Sequence, residues 1–368
     1  MPLLDAVKGI ACIVIVGHHL TRYGPMSERA FALAPGLIHW LSNDGRLAVQ
    51  VFLVIAGFLA ACSIAPDGWS RVERPLARIL QRYGRLVMPY LAALTVSVAV
   101  AALVRPTLDG DFVPSAPGLW QLVAHALLLQ DVLGYESLSA GVWYVAIDFQ
   151  LFVLALVAIS AAAWLQRHWP GRPAKVGWLA AAVVLALAVG SLAFFNLQPE
   201  LDGTALYFFG AYGMGMLTYW IGRATRRSTW LFGALSLAVL GATALAFDWR
   251  SRIAVALGTA MMLAVAQRRQ WLSAARWPFS AGPLVGLGKM SYSLFLIHFP
   301  VLLLVSALVD RWAPERPWAS ALGLVIALAV SVVAAAQLYG RVEARPASRR
   351  ALLALFAGLL VCGALQSL

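Results

Sequence analysis

Asp5, Lys8, His18 and His19 are four ionisable side chains in the first twenty-one residues, inside a stretch that is otherwise apolar. At about 100° per residue, Lys8 and His19 leave a helix within about 20° of each other, while His18 falls about 80° away. Asp5, three residues before Lys8, shares their face. The resulting polar stripe of Asp5, Lys8 and His19 is about 21 Å long at 1.5 Å per residue, about 16 Å of it between Lys8 and His19. Ionisable groups within hydrocarbon are expensive and mark function by default. Histidine titrates near neutrality and can take a proton from a hydroxyl, so the stripe reads as proton-transfer chemistry in a membrane cavity. The competing reading makes Asp5 and Lys8 snorkelling anchors and the histidines a boundary mark. A second pattern is Arg78, Arg82 and Arg85, spaced by four and three on one helical face. Guanidinium forks grip phosphate bidentately, which suits a phosphorylated cofactor at the cytoplasmic surface; contact with lipid headgroups is the alternative. Asp148 behind Trp143–Tyr144 and His298 five residues after Ser293 are further polar groups in apolar surroundings. Glu343 stands between Arg341 and Arg345, a setting for an ion pair.

These residues must be positioned by membrane helices. Hydrophobic residues make up 61% of the 368-residue chain, charged residues 12%, and the mean hydropathy is +0.80. A soluble domain carries about 25% charged residues, so this chain could not cover a core with polar surface. Apolar runs recur at 4–21, 46–64, 86–104, 142–165, 177–195, 204–221, 230–247, 252–266, 288–309, 318–338 and 350–367. Most are long enough to cross a hydrocarbon layer about 30 Å thick. The expectation is an all-α, polytopic transmembrane bundle of ten to eleven spanning helices. Its parts would be a membrane domain over 1–346 and an additional C-terminal apolar helix over 347–368. A soluble enzyme, a disordered chain and a disulfide scaffold are excluded.

The net charge of +12 follows topology and does not indicate nucleic acid. With the N-terminus in the cytoplasm, 20 of the 28 Lys and Arg residues fall on the cytoplasmic side, Arg172, Lys175 and Arg276 among them. The other 8, such as Arg22, Arg105 and Arg250, fall outside with acids such as Asp109, Asp111 and Glu136. This is a positive-inside distribution, which puts the N-terminus in the cytoplasm with the lipid bilayer as partner; the expected location is a bacterial cytoplasmic (inner) membrane. Cys12, Cys62 and Cys362 are widely spaced within apolar runs, which supports neither disulfide nor metal. Residues 1–21 lack the marks of a cleaved signal peptide. Loop 105–141 holds a short apolar stretch, Leu119 to Leu129, too short to span and suited to an interfacial or re-entrant helix. The small residues of Gly210–Gly215 suit close helix packing.

The chain resembles acyltransferase family 3, membrane proteins that modify exported glycans and other acceptors. The opening Leu4-Asp5-Ala6-Val7-Lys8-Gly9-Ile10-Ala11 followed by His19 is similar to the family's first-helix motif, a basic residue, ten residues and a histidine. Gly45 to Phe58 resembles its second-helix signature, and Arg82-Tyr-Gly-Arg85-Leu-Val-Met-Pro89-Tyr90 its arginine-rich approach to the third helix. Trp143-Tyr144-Val-Ala-Ile-Asp148, Ser291 to His298 and Glu343-Ala-Arg345-Pro346 resemble the remaining landmarks, in order over residues 4–346. Lys8 stands where the family usually has Arg, Gln50 where an acid is common, Ala56 for Ser and Asp148 for Glu. The resemblance implies an O-acyltransferase that moves an acyl group, acetyl from acetyl-CoA, to a hydroxyl of an exported or lipid-linked glycan. It implies His19, Lys8, Asp5 and Asp148 as catalytic residues. Arg78, Arg82, Arg85 and Arg345 would hold the donor, and Trp143, Tyr144 and His298 the acceptor, with no metal. The rival is a glycolipid carrier whose pathway the stripe lines; paired halves would favour it, and no inverted repeat is visible.

Overall fold

The computed structural model describes residues 1–108, 110–168, 178–273 and 282–366. Asp109, Arg172, Lys175 and Arg276 lie outside the described residues. The described chain is helical throughout, with no strand. The helices are α1 (Pro2–Arg22), α2 (Met26–Ala30), α3 (Pro35–Asp44), α4 (Ala48–Ile64), α5 (Pro75–Val104), α6 (Leu119–Ala126), α7 (Val142–His168) and α8 (Trp178–Ala193). They continue with α9 (Ala205–Gly222), α10 (Arg227–Phe247), α11 (Ser251–Arg268), α12 (Pro283–Lys289), α13 (Ser291–Trp312), α14 (Pro317–Leu338) and α15 (Arg349–Ala364). Proline opens α3, α12 and α14, where its missing N–H costs nothing and its fixed φ suits the first turn. Among the described residues, eight helical stretches are long and apolar enough to cross a membrane. The 18-residue α9 and α11 and the 16-residue α15 are not among them. This is an integral membrane protein.

Two compact units divide the chain, and the division falls within α1, α4, α5 and α7. The first holds Met1–Leu4, Val49–Leu80 and Ile147–Ala281. Here the glycines of α9 do what their size suggests. A Cβ on Gly215 would stand 2.0 Å from the Val54 carbonyl of α4, so the two backbones touch and no larger residue fits. Arg250, 8% exposed, donates to the Leu192 carbonyl, Asn196 Oδ1 and the Ala244 carbonyl, which tethers the α10–α11 turn to the end of α8.

The second unit holds Asp5–Ala48, Gln81–Ala146 and Gly282–Leu368. Residues 22–45 carry α2 and α3, and Arg29 ties α2 to Asp310 at the far end of α13 at 2.7 Å. The stretch around Leu119 forms α6 and belongs to a hairpin laid along α5. Tyr83 Oη donates to the Ala126 carbonyl at 2.7 Å, and Ser97 Oγ donates to Ser139 Oγ at 3.2 Å. These contacts are spread over about 21 Å of helix. His125 pins the hairpin's two arms. Its Nδ1 lies 2.8 Å from the Gln121 carbonyl, and its Nε2 accepts the Leu138 N–H at 3.2 Å. Burial holds its pKa down at about 4, only partly opposed by the Gln121 carbonyl. The neutral ring satisfies both bonds, and a second ring proton would break one.

Candidate active site

The second unit gathers most of the candidate residues. Gly288 of α12 sets the base of α1: a Cβ there would sit 1.6 Å from the Asp5 carbonyl, so the backbones are in contact. Asp5 and Lys8 form an ion pair at 2.9 Å on the face that periodicity assigns them. His19, on the same face and 5% exposed, points into the protein. Neighbouring His18 turns away, and its Nδ1 lies 2.9 Å from the Leu41 carbonyl of α3. The one-residue difference therefore separates a buried histidine from one spent on a backbone contact.

His19 does not stand alone. Its Nδ1 lies 2.7 Å from Nε2 of His298, which is wholly buried on α13, and the two ring planes lie within 16° of each other with centroids 4.8 Å apart. One neutral imidazole must donate and the other accept. The carbonyls of Leu294 and Phe295 lie beside the His298 ring, short of a well-formed bond to its Nδ1. That setting favours the His298 proton on Nδ1, leaving Nε2 as acceptor. His19 then donates from Nδ1 and presents the lone pair of its own Nε2. Aromatic side chains surround the pair: Tyr23 and Phe295 flank His19 at 5.7 and 6.2 Å, and Tyr144 packs edge-on against Phe295 at 5.5 Å. Trp143 adjoins Tyr144 at 6.2 Å. Gly141, at φ +84°, lets the backbone pass where a Cβ would stand 2.6 Å from Phe295.

The start of α13 is fixed from three directions. Tyr292 Oη donates to the Leu86 carbonyl of α5 at 2.8 Å, and Cys12 Sγ of α1 donates to the Ser291 carbonyl at 3.3 Å. Glu343 Oε2 accepts the Ser293 N–H at 3.1 Å and the Ser293 hydroxyl at 2.5 Å, placing a carboxylate on the helix N-terminus. Lys8 and Arg85 lie close enough to act on that carboxylate. The residue is delivered by a single π-turn, Tyr339–Glu343, that ends α14. Glu343 flanked by two arginines reads from sequence as an ion-pair partner, and only the fold brings Ser293 to it. Gly84, next to Arg85, lies against Ala347, a Cβ there being 3.4 Å from that side chain, so the segment after Arg345 rests on the arginine-bearing turn of α5. Arg82, Arg85 and Arg345 thus occupy adjoining segments. Arg78 and Asp148 belong to the first unit, where Arg78 bonds Ser63 Oγ and Asp148 is 5% exposed.

A membrane bundle with a buried histidine on its first helix and an arginine-bearing turn is compatible with a membrane acyltransferase. The acyltransferase domain family profile matches residues 2–336, and the chain belongs to that family, acyltransferase family 3. It is similar to "Acyltransferase MdmB" of Streptomyces mycarofaciens, at 26% identity over 93% of this chain and 90% of the relative. It is also similar to "Peptidoglycan O-acetyltransferase OatA" of Listeria monocytogenes, at 22% identity over 86% of this chain. The match spans about half, 51%, of that second relative. No solved structure matches the chain. Family membership decides for an enzyme over a carrier.

Proposed function

We propose that the protein transfers an acyl group, acetyl from cytoplasmic acetyl-CoA, to a hydroxyl of an exported or lipid-linked glycan. The observation that carries this reading is the 2.7 Å contact between His19 and His298, which aims a lone pair from an enclosed histidine. The similarity to a protein named as a peptidoglycan O-acetyltransferase favours a sugar hydroxyl as acceptor. His19 Nε2 takes the hydroxyl proton as the oxygen adds to the acyl carbonyl. The C–S bond then breaks, and the leaving thiolate recovers the proton from His19. His298 acts here as a positioning partner as well as a wall of the acceptor site with Trp143 and Tyr144. Arg82, Arg85 and Arg345 hold the donor's phosphates, with Arg78 further out on α5. Asp5 and Lys8 line the lower cavity, and Asp148 is kept as a further catalytic candidate.

The positive-inside distribution supports a bacterial cytoplasmic membrane location with the N-terminus and donor site in the cytoplasm. In this reading α9 and α11 also cross, making ten spans, and α15 makes an eleventh beyond a catalytic domain over 1–346. The test is mass spectrometry of surface glycans from a deletion strain complemented with wild type, His19→Ala or His18→Ala. Wild type and His18→Ala should restore acylation, and a well-expressed His19→Ala protein should not. Normal acylation with His19→Ala would sink the mechanism.

A further inference from the structure

Tyr83, Tyr90 and Ser97 recur every seven residues along α5. Seven steps of about 100° return each to within about 20° of the last, so the three form a ladder along one face. The outer rungs are closed by the Tyr83–Ala126 and Ser97–Ser139 bonds. The middle rung is open. Tyr90 is 0% exposed, and its hydroxyl has no hydrogen-bond partner among the described residues. Gln130 of the hairpin, also 0% exposed, donates from Nε2 to Asp131 Oδ2 at 2.9 Å. That bond fixes which way the amide points and leaves Oε1 without a partner. Asp131, next to Gln130 in the chain, lies within electrostatic range of Tyr90, so the open hydroxyl faces the stretch of the hairpin that carries the open carbonyl. Two residues before Gln130, Leu128 takes φ +59°, a left-handed backbone that leucine rarely adopts. Strain of this kind persists where surrounding structure enforces it, commonly at ligand sites.

An enclosed donor and an enclosed acceptor, both unmade, oppose folding unless something else completes them. A secondary amide is their complement, since it offers one carbonyl to Tyr90 and one N–H to Gln130. We propose that this open rung is a subsite for the amide-bearing arm of the acyl donor. Tyr90 Oη donates to an amide carbonyl of the pantetheine arm, and Gln130 Oε1 accepts the N–H. Tyr90 follows Arg85 by about 8 Å and Arg82 by about 12 Å along α5, in the direction that runs from exposed to buried helix. The inference rests on acyl-CoA being the donor.

Equilibrium binding of CoA and of its nucleotide end alone, adenosine bisphosphate, to the full-length protein in nanodiscs tests it. Tyr90→Phe and Gln130→Leu should each weaken CoA about five- to thirtyfold, as expected for one buried hydrogen bond, and leave adenosine bisphosphate unchanged. Arg82→Ala should weaken both. Tyr90→Phe should also melt no lower than wild type, because it removes an unpaired hydroxyl and leaves the ring. Unchanged CoA affinity in both variants would overturn the subsite while leaving the donor reading intact; the rung would then hold water. Failure of the wild type to bind CoA at all would overturn both.

Discussion

His298→Leu isolates the part of the histidine pair that the structure adds to the first-helix motif. The substitution leaves Nδ1–H of His19, on a residue 5% exposed, without its 2.7 Å acceptor. An abandoned buried donor costs about 1–3 kcal/mol, and the ring can recover part of that by moving its proton or rotating. Either response takes the Nε2 lone pair away from the acceptor hydroxyl. At about 1.4 kcal/mol per factor of ten, kcat should fall roughly ten- to a hundredfold, with little change in KM for acetyl-CoA. His298→Gln supplies a carbonyl oxygen near the former Nε2 position and should recover much of the loss. The assay is thiol release from acetyl-CoA by nanodisc-embedded protein with acceptor saturating, beside a thermal unfolding curve for each variant. Wild-type kcat in a stably folded His298→Leu protein would refute the orienting role. Equal impairment of His298→Leu and His298→Gln would show that the acceptor atom is not what His298 provides.

Three further outcomes are expected. Arg82→Ala or Arg85→Ala should raise the KM for acetyl-CoA about ten- to a hundredfold, and Lys at either position should restore only part, because charge returns without the fork; steady-state kinetics with both substrates varied checks this. Cysteines introduced at 222–229 should label from the cytoplasm and those at 196–203 from outside, and the opposite pattern would invert the scheme. His125, ordinarily near 6.5 but held at about 4, contributes stability that is full above pH 6.5 and is lost as pH falls towards 4, about 3 kcal/mol in all. The melting-temperature gap between wild type and His125→Gln should therefore narrow across that window, and a pH-independent gap would mean the ring's charge state is immaterial.

Everything legible in the sequence was local or statistical. Hydrophobic run length marks a spanning helix because the bilayer sets a minimum length. Helical period separated His19 from His18 because eleven residues make nearly whole turns, and the structure turns His18 to Leu41 accordingly. The same period predicts the shared face of Asp5 and Lys8, and the glycines of α9 announced a close helix contact. What stayed hidden depends on partners 42 to 279 residues away. His298 meets His19 across 279 positions, and Ser293 meets Glu343 across 50, through a π-turn that no periodicity marks. The hairpin along α5 was visible only as an apolar stretch too short to span. Its match of Ser97 to Ser139 over 42 positions, and its failure to match Tyr90, come from packing. Local composition determines whether a segment can sit in hydrocarbon; only the packed bundle decides which buried polar atom finds a partner, and that pairing sets the site's chemistry.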